Sequence, residues 1–108
     1  MLKKKNRVDK KGVDLLFKEG KYVVSTNFTF KFILNNKSKI TQISFIAPKS
    51  VAKSAVKRNL LRRHGYNVLK KYINQFPVGI MGVFVFKKYQ EDVLIIENEI
   101  KNILDKIN

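Results

Sequence analysis

The spacing of apolar positions divides the chain into helices and strands. Val13, Leu16 and Phe17 recur at helical spacing, and Gly20 stands just beyond Lys18 and Glu19 as a natural stop, which predicts a short first helix. From Tyr22 to Leu34 the period falls to two. Phe28, Phe30 and Phe32 share one face and Thr29, Lys31 and Ile33 the other, the pattern of a half-buried strand. Asn35-Asn36-Lys37-Ser38 supplies turn chemistry, and Ile40 to Ala47 returns as a second strand, so the two are expected to form a hairpin.

Pro48 closes that strand, and Lys49 or Ser50 precedes a long helical pattern from about Val51 to Ile73. Gly65 inside it costs on the order of 1 kcal/mol relative to alanine, and a bend is expected there. Pro77 and Gly79 break the chain before the nearly continuous apolar run that starts at Ile80, which suits a third strand covered on both faces or lying at the sheet centre. Glu91 and Asp92 favour a helix N-terminus, and Val93, Ile96, Ile100, Ile103, Leu104 and Ile107 mark one face of a last helix. The expected order is αββαβα: an α+β, single-domain α/β sandwich over residues 1–108, with helices packed on a mixed sheet of three to four strands.

Charge changes this picture from a generic sandwich to one with a specific kind of partner. The chain carries 23 Lys and Arg against 8 Asp and Glu, a formal net charge of +15, and no acid occurs between Glu19 and Glu91. Fourteen bases lie in that acid-free stretch, whereas residues 91–108 hold five acids and two bases. A solubility device would scatter both signs; a phosphate-docking surface keeps acids away. Residues 2–11 contain six bases and one acid, so residues 1–11 are expected to form a flexible basic arm.

The acid-free stretch is densest on the long helix. At ~100° per residue, Arg58, Arg62, Tyr66, Asn59 and Arg63 fall within an arc of ~140°, with Leu60, Leu61, Val68 and Tyr72 largely opposite. A solvated helix face would mix signs to gain pairs three or four residues apart, but this helix has no acid. Its arginines repel one another until an external anion arrives, and a guanidinium can grip two phosphate oxygens and stack on a base.

The run Ala55-Val56-Lys57-Arg58-Asn59-Leu60-Leu61-Arg62-Arg63-His64-Gly65-Tyr66 resembles the signature helix of the bacterial ribonuclease P protein family. That helix centres on an Arg-Asn-Arg motif followed by a basic pair. Arg58 and Asn59 match its first two positions and Arg62 and Arg63 the pair, while Leu60 replaces the motif's second arginine. Leu2-Lys3-Lys4-Lys5-Asn6-Arg7-Val8 is similar to the family's opening, Leu16-Phe17-Lys18-Glu19-Gly20 to the end of its first helix, and Pro48-Lys49-Ser50-Val51-Ala52-Lys53-Ser54 to the loop before the signature helix.

The resemblance implies a protein subunit that binds a catalytic RNA and holds the 5′ leader of precursor tRNA in a cleft between the first helix and the sheet. The RNA then removes the leader by metal-assisted hydrolysis, with Mg2+ carried by the RNA rather than by protein side chains. The implied RNA contacts are Lys3, Lys4, Lys5 and Arg7 of the arm, Lys49 and Lys53 of the loop, and Lys57, Arg58, Asn59, Arg62, Arg63 and Tyr66 of the helix. Phe17 and Val13 would line the leader cleft, with Thr29 and Lys31 on the sheet beneath. The family often has an aromatic at the Val13 position; stacking is worth ~1–3 kcal/mol per base, so weaker leader contact is expected.

A protein-only nuclease is not supported. His64 is isolated, and the eight carboxylates sit near the two ends, so a two-metal site has no evident ligands. Cysteine is absent, which excludes disulfides and thiolate chemistry. Met1 to Lys5 leads into no apolar run, and no segment reaches the roughly 20 apolar residues of a membrane span. The expectation is a cytoplasmic protein, monomeric by itself. A ribosomal-type or chaperone-like RNA-binding protein shares this composition, and a DNA-binding domain lacks support because no helix-turn-helix spacing is present.

Overall fold

The computed structural model describes residues 6–34 and 39–107. The elements run α1 (Lys10–Glu19), β1 (Lys21–Val24), β2 (Phe28–Leu34), β3 (Gln42–Ile46), α2 (Ala55–Tyr72), a 3-10 turn (Ile73–Gln75), β4 (Ile80–Phe86) and α3 (Val93–Ile107). The strands form one mixed sheet in the order β1-β2-β4-β3, with β2 antiparallel to β1 and β4, and β3 parallel to β4. The α+β class and the central position of the third predicted strand stand as expected, since β4 lies between β2 and β3.

The expected hairpin between the strand ending at Leu34 and the one beginning near Ile40 does not form. β4 occupies the edge of β2 that the hairpin would have used, with Phe28 opposite Phe86 and Phe30 opposite Phe84. The ring centroids of those pairs are 4.6 Å and 4.3 Å apart, and cross-strand aromatic pairs stabilise a ladder more than a turn alone does. The parallel β3–β4 pair then needs a long crossover, which α2 supplies. The turn residues Asn35 to Ser38 lie outside the described residues.

A hairpin forms elsewhere, because the first predicted strand is two strands. The chain turns at Ser25-Thr26-Asn27, where a carboxylate from α3 holds the turn. Glu99 is only 8% exposed and accepts from the Ser25 hydroxyl at 2.6 Å, from the Asn27 backbone N–H at 2.7 Å and from the Asn27 side-chain amide. The order is therefore αβββαβα rather than αββαβα.

The starts of the first two helices also move, in each case toward a residue that caps, while the last helix starts where Asp92 favours it. α1 begins at Lys10 because Asp9 accepts from the Gly12 N–H at 2.8 Å. Residues 6–11 do not belong to the flexible arm read over residues 1–11: Lys10 and Lys11 are helical, the Asn6 side chain donates to the Thr41 carbonyl at 2.9 Å, and the Val8 N–H donates to Ser44 Oγ at 2.7 Å, while residues 1–5 lie outside the described residues. α2 starts at Ala55 rather than near Val51, since Ser54 accepts from the Lys57 N–H. Asp92 caps α3, accepting from Leu94 N–H at 2.9 Å and Ile95 N–H at 3.4 Å.

One face of the sheet carries Phe28, Phe30, Phe32, Ile43, Phe45, Phe84 and Phe86 and packs against Leu61, Val68 and Leu69 of α2 and Ile96, Ile100, Ile103 and Leu104 of α3. α1 crosses the other face. Its N-terminal side lies at β3, Gly12 faces Met81 of β4, and Phe17 reaches Lys31 of β2. Gly79, at φ 83°, occupies the left-handed region that glycine adopts freely, and so turns the chain into β4.

Gly65 does not interrupt α2, which is continuous through it. A Cβ there would sit 2.6 Å from Cδ2 and Cε2 of Phe45, so the glycine lets the helix approach β3. Gly65→Ala is therefore expected to lower stability by about 1–3 kcal/mol through overpacking, although the same change at an open helix position raises it. A higher urea midpoint for the variant would contradict this packing.

Candidate nucleic-acid interface

A groove of about 810 Å³ opens where three elements meet: the segment leading into α1, the outer face of β3, and the arginine face of α2. Arg7, Val8, Asp9 and Val13 form one wall, Gln42, Ser44 and Ile46 lie along the strand, and Asn59, Arg62, Arg63 and Tyr66 form the other wall. The period of β3 puts Gln42, Ser44 and Ile46 on the face opposite to buried Ile43 and Phe45. Sequence reasoning assigned none of these strand residues to the site, although that alternation was a signal that could have found them.

Helical spacing brings Asn59, Arg62, Arg63 and Tyr66 to the groove together. The Asn59 side-chain oxygen accepts from Arg62 Nη2, which orients that guanidinium along the helix surface. Arg63 is exposed. Arg7 adds a third guanidinium, and its Nε is buried without a hydrogen-bond partner among the described residues. A buried N–H donor without a partner is costly, while Arg7 itself still forms part of the groove wall. The one acid in the wall, Asp9, is engaged in capping α1.

Tyr66 is the floor of this site rather than a free side chain. It is 6% exposed, its ring packs edge-on against Phe45 with centroids 5.1 Å apart, and its hydroxyl accepts from the Phe45 N–H at 3.2 Å. Phe45 lies on β3, an edge strand, so the phenol satisfies a backbone donor that no neighbouring strand reaches.

The remaining expected contacts are distributed around the groove. Arg58 does not line it; its Nη1 donates to the carbonyls of Ala52 and Lys53. Lys57 points to the far side of α2, with Nζ 5.4 Å from the Tyr89 ring centroid. Tyr89 in turn donates to Glu91 at 2.8 Å, and that hydrogen bond raises its phenol above the ordinary value of 10.0. Lys49 and Lys53 are exposed in the loop before α2, while Lys3, Lys4 and Lys5 lie outside the described residues.

The expected cleft residues divide between two places. Val13 faces the groove, whereas Phe17 stands at the other end of α1, 47% exposed, with Lys31 Nζ 4.6 Å from its ring centroid. Thr29 is half-buried two positions from Lys31 on the same face of β2. Lys31 therefore places a cation on the α1 side of the sheet, apart from the arginines of the groove.

Among the described residues no group of three or more His, Cys, Asp or Glu is placed to hold a metal ion, and no helix is long and apolar enough to cross a membrane. His64 is half-buried on α2.

The fold has solved counterparts. It superposes on the RNase P protein of Staphylococcus aureus with a TM-score of 0.82, at 16% identity and covering 95% of each chain. The RNase P protein from Thermotoga maritima gives a TM-score of 0.82 at 21% identity, over 94% of this chain and 97% of that one. At these identities the likeness speaks for the fold. No curated protein matches the chain. The family model described as Ribonuclease P matches residues 2–108, and since that is nearly the whole sequence the chain belongs to the ribonuclease P protein family.

Proposed function

We propose that this ribonuclease P protein binds the RNA subunit of ribonuclease P through the arginine-lined groove, and guides the 5′ leader of precursor tRNA across the α1 side of the sheet. The chemistry belongs to the RNA. Mg2+ reaches the reaction on RNA phosphates, and the protein contributes charge neutralisation and positioning. The observation that carries the reading is the convergence of Arg7, Arg62 and Arg63 on one groove, with Asn59 orienting Arg62. A folded polyanion is the ligand that such a cluster accommodates, because neutralising phosphates releases counterions and relieves the repulsion among the guanidinium groups.

Reconstitution is the direct test. Added to a bacterial ribonuclease P RNA, the protein is expected to restore 5′ leader removal from precursor tRNA at magnesium concentrations where the RNA alone is slow. An RNA-binding protein of ribosomal or chaperone type would bind the transcript without that stimulation, and such a result would overturn the assignment.

Phe17 supports the leader part of the proposal, since a half-exposed aromatic ring beside a lysine ammonium offers a base both a stacking surface and a nearby charge. Phe17→Ala is expected to weaken binding of leader-bearing precursor by about 1–3 kcal/mol while leaving mature tRNA unaffected. Equal losses for both substrates would assign Phe17 to packing.

A further inference from the structure

Arg58 is at the edge of the α2 face that carries Asn59, Arg62 and Arg63, and it does not line the groove. Its guanidinium turns back toward the start of the helix. Nη1 donates to the Ala52 carbonyl at 3.0 Å and to the Lys53 carbonyl at 2.7 Å. These acceptors belong to the loop between β3 and α2, which is tied down from its other side as well. The Val51 and Ala52 N–H groups both donate to the Pro48 carbonyl, at 3.0 Å and 3.1 Å, and Ser54 caps the helix.

An Nη1 nitrogen has two N–H groups, and here each has an acceptor, so the end-on fork is taken up by the loop; the Nε–Nη2 edge remains, but Arg58 does not line the groove that Arg62 and Arg63 face. Arg62 differs. Its hydrogen bond to the Asn59 side chain lies along the helix surface and leaves Arg62 in the groove wall. Loop residues held by hydrogen bonds from both sides lose little further entropy when a ligand docks on them.

We infer that Arg58 is a positioning residue: it locks the Pro48–Ser54 loop so that Lys49 and Lys53 are presented to RNA in a fixed arrangement, and it does not itself neutralise a phosphate. The inference rests on the RNA-binding reading above for its consequence, but the locking itself is a property of the free protein. The charge of Arg58 is then incidental to its contribution, and its reach and donor geometry are what matter. This separates two arginines that share a helix turn and would otherwise be counted as equivalent phosphate contacts.

The test uses the full chain and a bacterial ribonuclease P RNA transcript, with affinity measured across a salt series, and amide hydrogen exchange of the free protein. Arg62→Gln removes a groove charge and is expected to reduce the slope of log affinity against log salt by about 0.9. Arg58→Gln removes the charge and, with a side chain two bonds shorter, also the reach to the loop carbonyls, so it is expected to lose affinity much as Arg58→Ala does while leaving the slope unchanged. Arg58→Ala is expected to lose about tenfold in affinity at every salt concentration with the slope unchanged, and to speed exchange of the Val51 and Ala52 amides.

A slope reduction in Arg58→Gln equal to that of Arg62→Gln would make Arg58 a phosphate ligand and overturn the inference. So would unaltered exchange at Val51 and Ala52 in Arg58→Ala. If the parent protein binds the transcript without salt dependence, the RNA reading fails instead, and the exchange measurement alone then decides whether Arg58 locks the loop.

Discussion

Replacing Arg62 and Arg63 together by alanine is expected to weaken binding to ribonuclease P RNA by at least roughly 100-fold at about 0.15 M salt, since each charged contact is worth about 1.5–3 kcal/mol. The salt slope should fall by about 1.8, twice the ~0.9 expected for one phosphate contact. Both side chains line the groove, Arg63 is exposed and Arg62 half-exposed, so the folded protein should persist. The matched control is Lys101→Ala with Lys106→Ala, which removes the same charge from exposed positions on α3. If that pair weakens binding equally, only net charge matters and the groove is not the docking surface.

The largest expected effect on stability belongs to Glu99. Its carboxylate receives the Ser25 hydroxyl, the Asn27 N–H and the Asn27 side-chain amide in a buried setting. Glu99→Ala leaves those donors without their acceptor, at about 1–3 kcal/mol for each one that stays buried and unsatisfied. A loss of about 3 kcal/mol is expected, and in a domain of this size it lowers the thermal midpoint by roughly 10–20 °C. Because the carboxylate holds the β1–β2 turn, amides of β1 should lose protection before those of β4. A variant with an unchanged midpoint would show that the turn holds itself.

The two effects separate two kinds of polar residue in this chain. Arg62 and Arg63 sit where water already solvates them, so their removal leaves the fold and takes away a partner's contacts. Glu99 is enclosed by protein, so its removal exposes an internal account of donors and acceptors to imbalance. The distinction is invisible in a list of charged residues, because both kinds appear there simply as ionisable side chains.

Much of the candidate site was legible along the chain. The acid-free stretch, the arginine face of α2 and the resemblance of Ala55 to Tyr66 to the ribonuclease P signature helix are all local in sequence, and helical spacing converts them directly into a surface. Tyr66 shares that spacing yet closes the floor of the groove, because the Phe45 N–H needs an acceptor that only the tertiary arrangement reveals. Arg58 shares it too, but nearby loop carbonyls capture its guanidinium. Periodicity gives a direction; what a side chain meets in that direction is decided by other elements.

The helical and extended periods, the acidic start of α3 at Asp92 and the one-sided charge were legible in the sequence alone, since each depends on residues within a few positions of one another, whereas the caps at Asp9 and Ser54, equally local, emerged only in the folded chain. Strand order was not legible there. Whether β2 pairs with β3 or with β4 depends on which edge buries more aromatic surface, and the partners of Phe28 and Phe30 lie more than fifty residues away, at Phe86 and Phe84. The same holds for the split between β1 and β2, which requires a carboxylate from α3. Local patterns specify elements because backbone geometry repeats every few residues; pairing and site assembly compare energies between distant segments, and only the folded chain makes that comparison.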